Sequence, residues 1–259
     1  GPGAAIRFRA MEFPDPLVRG TLVRRYKRFL ADVELAGGEV VTAHCANPGS
    51  MLSVNAPGSE VWLSPARNPE RKLRYTWELV RVGDGLVGIN TAHPNRLVEE
   101  AIGAGAIAEL GGYATLRREV KYGQNSRVDL LLEDDGRPDC YVEVKNVTMR
   151  RGADDAAPAE FPDSVTARGT KHLAELSRMV AEGHRAVMVY LAQREDSRRF
   201  AIAADIDPVY AEALDDALAA GVEAVCYACR LATTAIEVAA PLAFEPPAAP
   251  GSARRSTGT

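Results

Sequence analysis

The sequence predicts a two-domain protein of α+β and α/β structure, with an OB-like β-barrel at residues 11–90 and a mixed sheet flanked by helices at residues 91–245. Short apolar segments separated by glycine-rich turns fill the first part, which is typical of a small barrel. A helical pattern begins at Thr91, and the segments after it follow the order α-β-β-β-α-β. That order is typical of a sheet with helices packed against it.

The first part of the chain has the pattern of β-strands joined by tight turns. Strand-like segments flank the turns at 36–38 and 83–85, where glycine allows the positive φ angles of hairpins. The segments NPGSM and NAPGS mark further turns. A small β-domain that carries Arg and Lys on its strands suits the binding of a nucleic-acid strand, and it equally suits a structural cap.

The second part alternates helices with apolar strands. A helix is predicted from Thr91 to the glycine pair at 111–112. Three strands follow, TLRREVKY, RVDLLLE and CYVEVKNVT, and then a helix from Thr170 and the apolar strand RAVMVYLAQ. A second helix–strand pair, DPVYAEALDDALAAG and VEAVCYACRL, completes the predicted sheet.

The two ends of the chain fall outside the predicted fold. Residues 1–10 begin with Gly-Pro-Gly, which resembles a protease-cleavage scar or tag, and the Pro-, Ala- and Gly-rich residues 246–259 are predicted to be disordered. No apolar run approaches the ~20 residues of a membrane helix. Residues 1–10 also lack the apolar core of a secretory signal, so a cytoplasmic location is expected.

The charges and cysteines narrow the functional classes. The net charge of −4 gives no overall attraction to nucleic acid, but a basic cluster lies in the predicted barrel: Arg24, Arg25, Lys27 and Arg28. Such a cluster can bind phosphates, although solvated surface charges are the simpler interpretation. Cys226 and Cys229 have no second pair at zinc-ligand spacing and lie in an apolar strand, where buried thiols are expected.

The segment 127–148 places three charged residues on two strands that otherwise look buried. A hairpin centred on its turn, EDDGRP, predicts three apolar pairs on one face: Val128 with Val144, Leu130 with Val142, and Leu132 with Cys140. On the other face Asp129 would lie opposite Glu143, with Lys145 beside them. Opposed carboxylates repel unless they share a proton or a cation, and Mg²⁺ is commonly held by one or two carboxylates. The alternative is an exposed, salt-bridged strand face.

Two other segments carry candidate residues. Glu100 shares a helical face with Leu97 and Ala101, so we expect it either to point toward the sheet or to be an ordinary surface acid. The segment FPDSVTARGTKHLAEL leads into a helix, and helix N-termini favour phosphate. Three side chains there would strengthen phosphate binding: Arg168, Lys171 and His172. A capped helix with solvated basic residues is the simpler explanation of that segment alone.

The element order and the set Asp129, Glu143 and Lys145 resemble the PD-(D/E)xK nuclease superfamily. The chain departs from the named motif, because RVD stands where the family has Pro-Asp. A literal Pro138-Asp139 lies too close to Glu143 to leave room for the turn and the first strand. Asp129 is therefore taken as the ligand. The resemblance also implies a third acid from the first helix, for which Glu100 is the candidate.

Longer motifs resemble the sugar fermentation stimulation protein family of bacteria and archaea. They include CANPGSM, PNRLVEEAI, RPDCYVEVKNVT and FPDSVTARGTKHLAEL, and the resemblance covers residues 11–245. It implies an OB-like domain followed by a PD-(D/E)xK nuclease-like domain, DNA binding without strong sequence preference, and a link to sugar (maltose) utilisation. The positions that correspond to the family's nuclease-like site are Glu100, Asp129, Glu143 and Lys145.

The leading hypothesis is a DNA-binding protein with a metal-dependent nuclease site. Asp129, Glu143 and the carbonyl of Val144 would hold Mg²⁺ or Mn²⁺, and Glu100 would complete a second-metal position or an outer shell. Lys145 would orient or help deprotonate the attacking water. The DNA backbone would be held by the basic residues of both domains: Arg24, Arg25, Lys27, Arg28, Arg168, Lys171 and His172.

Two alternatives remain open from the sequence. The protein could be a DNA-binding regulator of sugar metabolism whose nuclease-type site is weak or idle. A helix-turn-helix in DPVYAEALDDALAAGVEAVCY is disfavoured because its acidic residues would face phosphates. A structural or adaptor protein with no nucleic-acid role would leave the Asp–Glu–Lys set unexplained. A homodimer is a further expectation, because nuclease-like proteins that handle two strands are commonly two-fold assemblies.

Overall fold

The computed structural model describes residues 10–245 and contains an N-terminal barrel. Its strands are β2 (Val18–Tyr26), β3 (Leu30–Leu35), β4 (Val40–His44), β5 (Glu60–Pro65), β6 (Tyr75–Val82) and β7 (Gly85–Gly88). They form one sheet in the order β4-β3-β2-β5-β6-β7. A parallel pairing between His44 and Thr76 joins β4 to β6 and closes β2–β6 into a five-stranded barrel. The predicted OB-like barrel is confirmed.

The barrel closes around a small apolar core. Its buried side chains include Leu22, Val33 and Trp77, and Trp77 satisfies its indole by donating a hydrogen bond to the carbonyl of Leu79 at 2.9 Å. Each aliphatic side chain removed from water in this way contributes about 1.5–3 kcal/mol. Gly20 is required where β2 approaches β3, because a Cβ atom there would collide with Val33.

The rest of the chain builds a seven-stranded sheet and a smaller three-stranded one. The large sheet contains β1 (Met11–Glu12), β8 (Thr115–Tyr122), β9 (Ser126–Asp134), β10 (Arg137–Val147), β12 (Arg185–Ala192), β14 (Glu223–Leu231) and β15 (Ala235–Pro241). Its order is β1-β15-β14-β12-β10-β9-β8. The small sheet contains β11 (Ala159–Phe161), β13 (Arg199–Ile202) and β16 (Ala243–Phe244). Because β10, β12 and β14 are parallel and the remaining pairs of the large sheet are antiparallel, the predicted mixed sheet is confirmed.

Three α-helices pack on the large sheet: α1 (Pro94–Gly103), α2 (Ala167–Ala181) and α3 (Pro208–Ala219). A short 3-10 helix at Ala108–Leu110 follows α1. The helix α1 and the barrel side chains Trp62 and Leu79 cover one face of the sheet, and α2 and α3 cover the other. Among the residues that the structure describes, no helix is long and apolar enough to cross a membrane.

The first strand extends the large sheet, whereas the sequence assigned it to the barrel. Met11 and Glu12 pair with Ile236 and Ala235 at the edge of the sheet. Met11 is buried in the core beneath α1. A two-residue strand has no periodicity, so only its partner strand decides where it belongs.

The hairpin of β9 and β10 follows the predicted register only in part. Leu130 pairs with Val142 and Leu132 with Cys140, as predicted. The predicted pair of Val128 with Val144 is wrong, because the ladder between the two strands ends at Leu130 and Val142. Beyond that point β10 continues along β12 as far as Val147, and β9 continues along β8. The two strands therefore separate.

The cysteines and the α3–β14 segment do not form the zinc site or the helix-turn-helix considered from the sequence. All four cysteines are free and buried. Cys226 and Cys229 belong to the cores on opposite faces of the sheet, so their thiols do not converge as zinc ligands would. The helix α3 leads directly into β14, a strand inside the sheet, which leaves no second helix for a helix-turn-helix.

Candidate active site

A cleft of about 590 Å³ lies between the barrel and the large sheet. The barrel contributes Arg28 and residues 47–49, and the sheet contributes Asp129 and residues 143–146. The segment 160–168, which ends in the first turn of α2, also lines the cleft. A cleft of this volume is in the range that encloses a small ligand.

Asp129 occupies the point where β9 and β10 separate. Its Oδ2 atom accepts a hydrogen bond from the backbone N–H of Val144 at 2.7 Å, and its Oδ1 atom accepts one from Nδ2 of Asn95 at 3.0 Å. These two bonds fix the orientation of the carboxylate. The side chain therefore satisfies a backbone donor that the ended ladder leaves without a strand partner.

Glu143 is buried beside Asp129, with only 1% of its surface exposed. Its Oε1 atom accepts a hydrogen bond from the hydroxyl of Tyr122 at 3.0 Å. Burial, followed by the negative charge of Asp129, raises the pKa of Glu143 to about 9. Asp129 and Glu143 thus lie close enough to interact, and a carboxyl with so high a pKa holds a proton at neutral pH.

Lys145 forms the third member of the predicted set. Burial lowers its pKa, although the charges of Glu143 and Asp129 oppose that effect. Its Nζ atom lies 3.3 Å from Nδ1 of His172. Burial and the positive charges of Lys145 and Arg168 lower the pKa of His172 to about 4, so the imidazole is neutral at pH 7. A neutral imidazole can accept a hydrogen bond from the lysine ammonium group.

The residues of the cleft fit a hard divalent cation. No group of three or more His, Cys, Asp or Glu side chains converges as metal ligands among residues 10–245. Mg²⁺ does not require one, since one or two carboxylates with water and phosphate complete its shell. Asp129 and Glu143 supply two carboxylates, and Val144 also lines the cleft. Burial first, and then the charge of Asp129, raises the pKa of Glu143, and a bound cation would offset both effects by favouring the ionised carboxylate.

The structure does not bring Glu100 into the cleft. Its Oε1 atom accepts a hydrogen bond from Nε of Arg96 at 2.8 Å, and its side chain lines a separate small pocket beside Glu237. Pro94 and Asn95, in the first turn of α1, face the cleft instead. Five residues of a helix turn the side-chain direction by about 140° beyond a full turn, so Glu100 and Asn95 cannot share a face.

The basic residues of α2 separate into three environments. Arg168 is exposed and lines the cleft. Lys171 is exposed but does not line it, and His172 is buried against Lys145. Thr166 caps the helix by accepting a hydrogen bond from the N–H of Gly169 at 3.0 Å.

The basic cluster of the barrel also separates into structural and accessible members. Arg24 pairs with Asp32 at 3.0 Å. Arg25 donates hydrogen bonds to three backbone carbonyls of the loop at 47–50, and it therefore holds that loop in place. Lys27 and Arg28 lie at the exposed tip of the β2–β3 hairpin, and Arg28 lines the cleft.

Several residues at or near the site could not have been identified from any pattern in the sequence. Asn95 and Tyr122 bond the two carboxylates from elements distant in the chain. Asp163 of the segment FPDSVTARGTKHLAEL accepts a hydrogen bond from the N–H of Met51 in the barrel at 3.0 Å. Glu175 is fully buried, and its carboxylate oxygens have no hydrogen-bond partner among the described residues. A mid-helix glutamate usually indicates an exposed position, so this one could not have been predicted.

Comparison with known proteins identifies relatives over most of the chain. The family described as SfsA N-terminal OB domain matches residues 23–89, and that described as Sugar fermentation stimulation protein RE domain matches residues 92–235. The sugar fermentation stimulation protein homolog of Paramagnetospirillum magneticum is 63% identical over 235 residues, covering 91% of this chain and 98% of the relative. That of Rhodospirillum rubrum is 60% identical over 228 residues, covering 85% and 93%.

A solved structure supports the same relationship. Pyrococcus furiosus SfsA in complex with Ca²⁺ superposes with a TM-score of 0.82 at 27% identity, covering 92% of this chain and 100% of that one. The similarity therefore spans both domains. The chain belongs to the sugar fermentation stimulation protein family.

Proposed function

We propose that this protein binds DNA without strong sequence preference and hydrolyses phosphodiester bonds with a divalent metal. The observation that carries the proposal is the separation of β9 and β10 at the cleft, which sets Asp129 and Glu143 beside Lys145. Two acids and a lysine converging in one cleft can hold a metal ion and stabilise negative charge on the same phosphate.

The metal would be Mg²⁺ or Mn²⁺, held by the carboxylates of Asp129 and Glu143 and the carbonyl of Val144. The Pyrococcus furiosus relative was solved in complex with Ca²⁺, a cation with the same preference for oxygen ligands. When bound, the metal would lower the pKa of a water ligand and stabilise charge on the phosphate. Glu143 would lose its proton as the site is filled, since ligands must be deprotonated.

Lys145 would orient the attacking water or stabilise charge that develops on the phosphate. In the tautomer that leaves Nδ1 of His172 unprotonated, the imidazole would accept one hydrogen of the Lys145 ammonium group and direct the remaining two away from itself. His172 would therefore act as a positioning residue for Lys145. This role differs from the flanking phosphate contact expected from the sequence, because the imidazole is buried.

DNA would be held through its phosphates. Arg28 from the barrel and Arg168 from α2 both line the cleft, and Lys27 and Lys171 are exposed near them in the chain. Backbone contacts of this kind position DNA without reading its sequence and weaken as salt concentration rises. Arg24 and Arg25 contribute to the barrel instead, because their guanidinium groups are bonded within it.

The test is cleavage of plasmid and oligonucleotide DNA with Mg²⁺ or Mn²⁺, with and without a chelator. The wild-type protein should cleave only with metal, and Asp129→Asn and Lys145→Ala should each lower the rate about 10²–10³-fold. Asp15→Asn is the matched control, because Asp15 is an acid paired with Arg67 outside the cleft. Full cleavage by Asp129→Asn would place the site elsewhere.

The name that the relatives share favours a second candidate function. The protein would then be a DNA-binding regulatory factor in sugar (maltose) metabolism, with weak or no nuclease activity. Binding of duplex, single-stranded and branched DNA without metal-dependent cleavage of any of them would support this candidate. The homodimer and the cytoplasmic location stay predictions, and sedimentation of the purified protein would test the first.

A further inference from the structure

One wall of the cleft is the barrel loop at residues 47–51, which hydrogen bonds anchor on two sides. Ser50 donates a hydrogen bond from its hydroxyl to the carbonyl of Asp163 at 2.6 Å, and the N–H of Met51 donates to Oδ2 of Asp163 at 3.0 Å. Gly49 packs so closely there that a Cβ atom would lie 2.7 Å from Oδ1 of Asp163. From the barrel side, Arg25 holds the loop carbonyls at 2.7–3.1 Å. The wall is therefore preformed.

The barrel presents an aromatic ring, Phe29, beside Arg28, which lines the cleft. Phe29 is 48% exposed, which is unusual for a side chain of that size in a small barrel. It follows Lys27 and Arg28, which adopt positive φ angles of 50° and 64°. Positive φ angles at both central residues are typical of a tight hairpin turn, and this turn places Phe29 directly after Arg28.

Two contacts fix Phe29 in the barrel next to Arg28. Its carbonyl accepts a hydrogen bond from the N–H of Cys45 at 2.8 Å, and the guanidinium of Arg28 lies 5.9 Å from the ring centroid. Arg28 in turn donates to the carbonyl of Pro48 at 2.5 Å, inside the wall of the cleft. Val165, which is 73% exposed, also lines the cleft. Apolar and basic side chains thus lie together in the cleft and next to it.

We infer that the cleft takes an unpaired nucleic-acid strand, with a base stacked on Phe29 and flanking phosphates held by Arg28 and Arg168. This inference rests on the proposed function and names its substrate class. Aromatic rings beside cationic side chains are the usual means of holding single strands, because every unpaired base offers a flat face. A duplex keeps its bases stacked and exposes only their edges, so it offers Phe29 nothing to stack upon.

The test is binding of labelled 15-nucleotide probes by fluorescence anisotropy, with chelator present so that no cleavage occurs. The probes are one mixed sequence as single-stranded DNA, single-stranded RNA and blunt duplex DNA. Single strands should bind at least ~10-fold more tightly than the duplex. Phe29→Ala should weaken single-strand binding by ~5-fold to 100-fold and leave duplex binding nearly unchanged, whereas Phe29→Trp should retain it. Val40→Ala is the control, because Val40 is 55% exposed on the barrel outside the cleft.

The outcomes separate the two proposals. Equal affinity for duplex and single strand, or no effect of Phe29→Ala, would overturn the strand-binding site. Metal-dependent cleavage is scored in a parallel assay on the same probes. Cleavage without a Phe29-dependent preference would overturn this inference alone, whereas a Phe29-dependent preference without cleavage would overturn the nuclease function and leave the strand-binding site standing. The tighter-binding probe of the two single strands, DNA or RNA, shows which nucleic acid the site prefers.

Discussion

The two faces of the seven-stranded sheet bury different kinds of side chain. The face beneath α1 and the barrel is built mainly from aliphatic residues such as Leu130, Val142 and Val189. The face beneath α2 and α3 also buries ionisable groups: Glu143, His172 and Glu175. Burying ionisable groups lowers stability unless they are paired, so these groups lower the stability that their face can contribute. Both faces bury apolar clusters that stabilise the fold, and the face beneath α2 and α3 also holds the candidate chemistry.

A single strand serves both faces. Successive side chains of β10 point to opposite sides of the sheet, so Val142 and Val144 enter the apolar core while Glu143 and Lys145 enter the site. The apolar side chains of β10 fix the position of the strand in the sheet, and this also fixes the positions of Glu143 and Lys145. Variants on the two faces should therefore have opposite consequences for stability and activity.

The largest effect is expected from Glu143→Gln on activity. The amide removes a metal ligand, so metal-dependent cleavage should fall about 100-fold or more. Rates of cleavage with Mg²⁺ or Mn²⁺ would measure it. Glu223→Gln, an acid paired with Arg185 at the end of β14, is the matched control and should cleave normally. Normal cleavage by Glu143→Gln would remove the chemical role from this face.

The second effect concerns the apolar face. Leu130→Ala should lower the free energy of unfolding by about 2–5 kcal/mol, because it leaves a cavity in a fully buried core. Urea unfolding followed by circular dichroism would measure the change. The rate of cleavage per folded molecule should change little. A loss below about 1 kcal/mol would show that the packing of Leu130 on this face contributes little to stability.

The third effect is a gain in stability from Glu143→Gln in metal-free protein. The pKa of Glu143 is raised to about 9 in the folded state from an ordinary value near 4.5, so the folded protein holds this proton more tightly than the unfolded chain does. The stabilisation of the folded state by that proton is complete below pH 4.5 and is lost as the pH rises through about 9. At pH 7 the variant should therefore unfold with a free energy about 1–3 kcal/mol higher than the wild type. Unfolding at pH 5, 7 and 9 with chelator would measure it, and a gain that does not grow with pH would contradict this cause.

The smallest effect is expected from the barrel. Arg28→Ala should flatten the dependence of log affinity on log salt by about 0.7–0.9, the value of one phosphate contact. Arg24→Ala should leave that slope unchanged, because its guanidinium is paired with Asp32. Binding titrations between 50 and 200 mM salt would measure the slopes of both variants. Over that range, binding through phosphate contacts loses affinity by orders of magnitude. Equal slopes for the two variants would move the DNA path away from the hairpin tip.

Much of the architecture could be predicted because it depends on local patterns. Glycine turns marked the barrel strands, and the alternation of β10 marked Glu143 and Lys145 as sharing a face. Glu100 was misplaced because helical spacing near Leu97 shows which side of α1 is buried but not where the cleft lies. The pair of Val128 with Val144 was wrong because β12 and β8 draw the two strands apart.

The sequence by itself predicted the barrel, the mixed sheet and the order of the main helices and strands, but not the strands β11, β13, β15 and β16, and it marked Asp129, Glu143 and Lys145 as candidates. These follow from periodicity and residue type along the chain, which act over a few residues at a time. Only the tertiary structure decided that Asn95, Tyr122 and His172 contact that set, and that Arg28 lines the cleft with the ring of Phe29 beside it. Contacts between residues far apart in the chain depend on how the sheet and barrel pack, and no local pattern records that geometry.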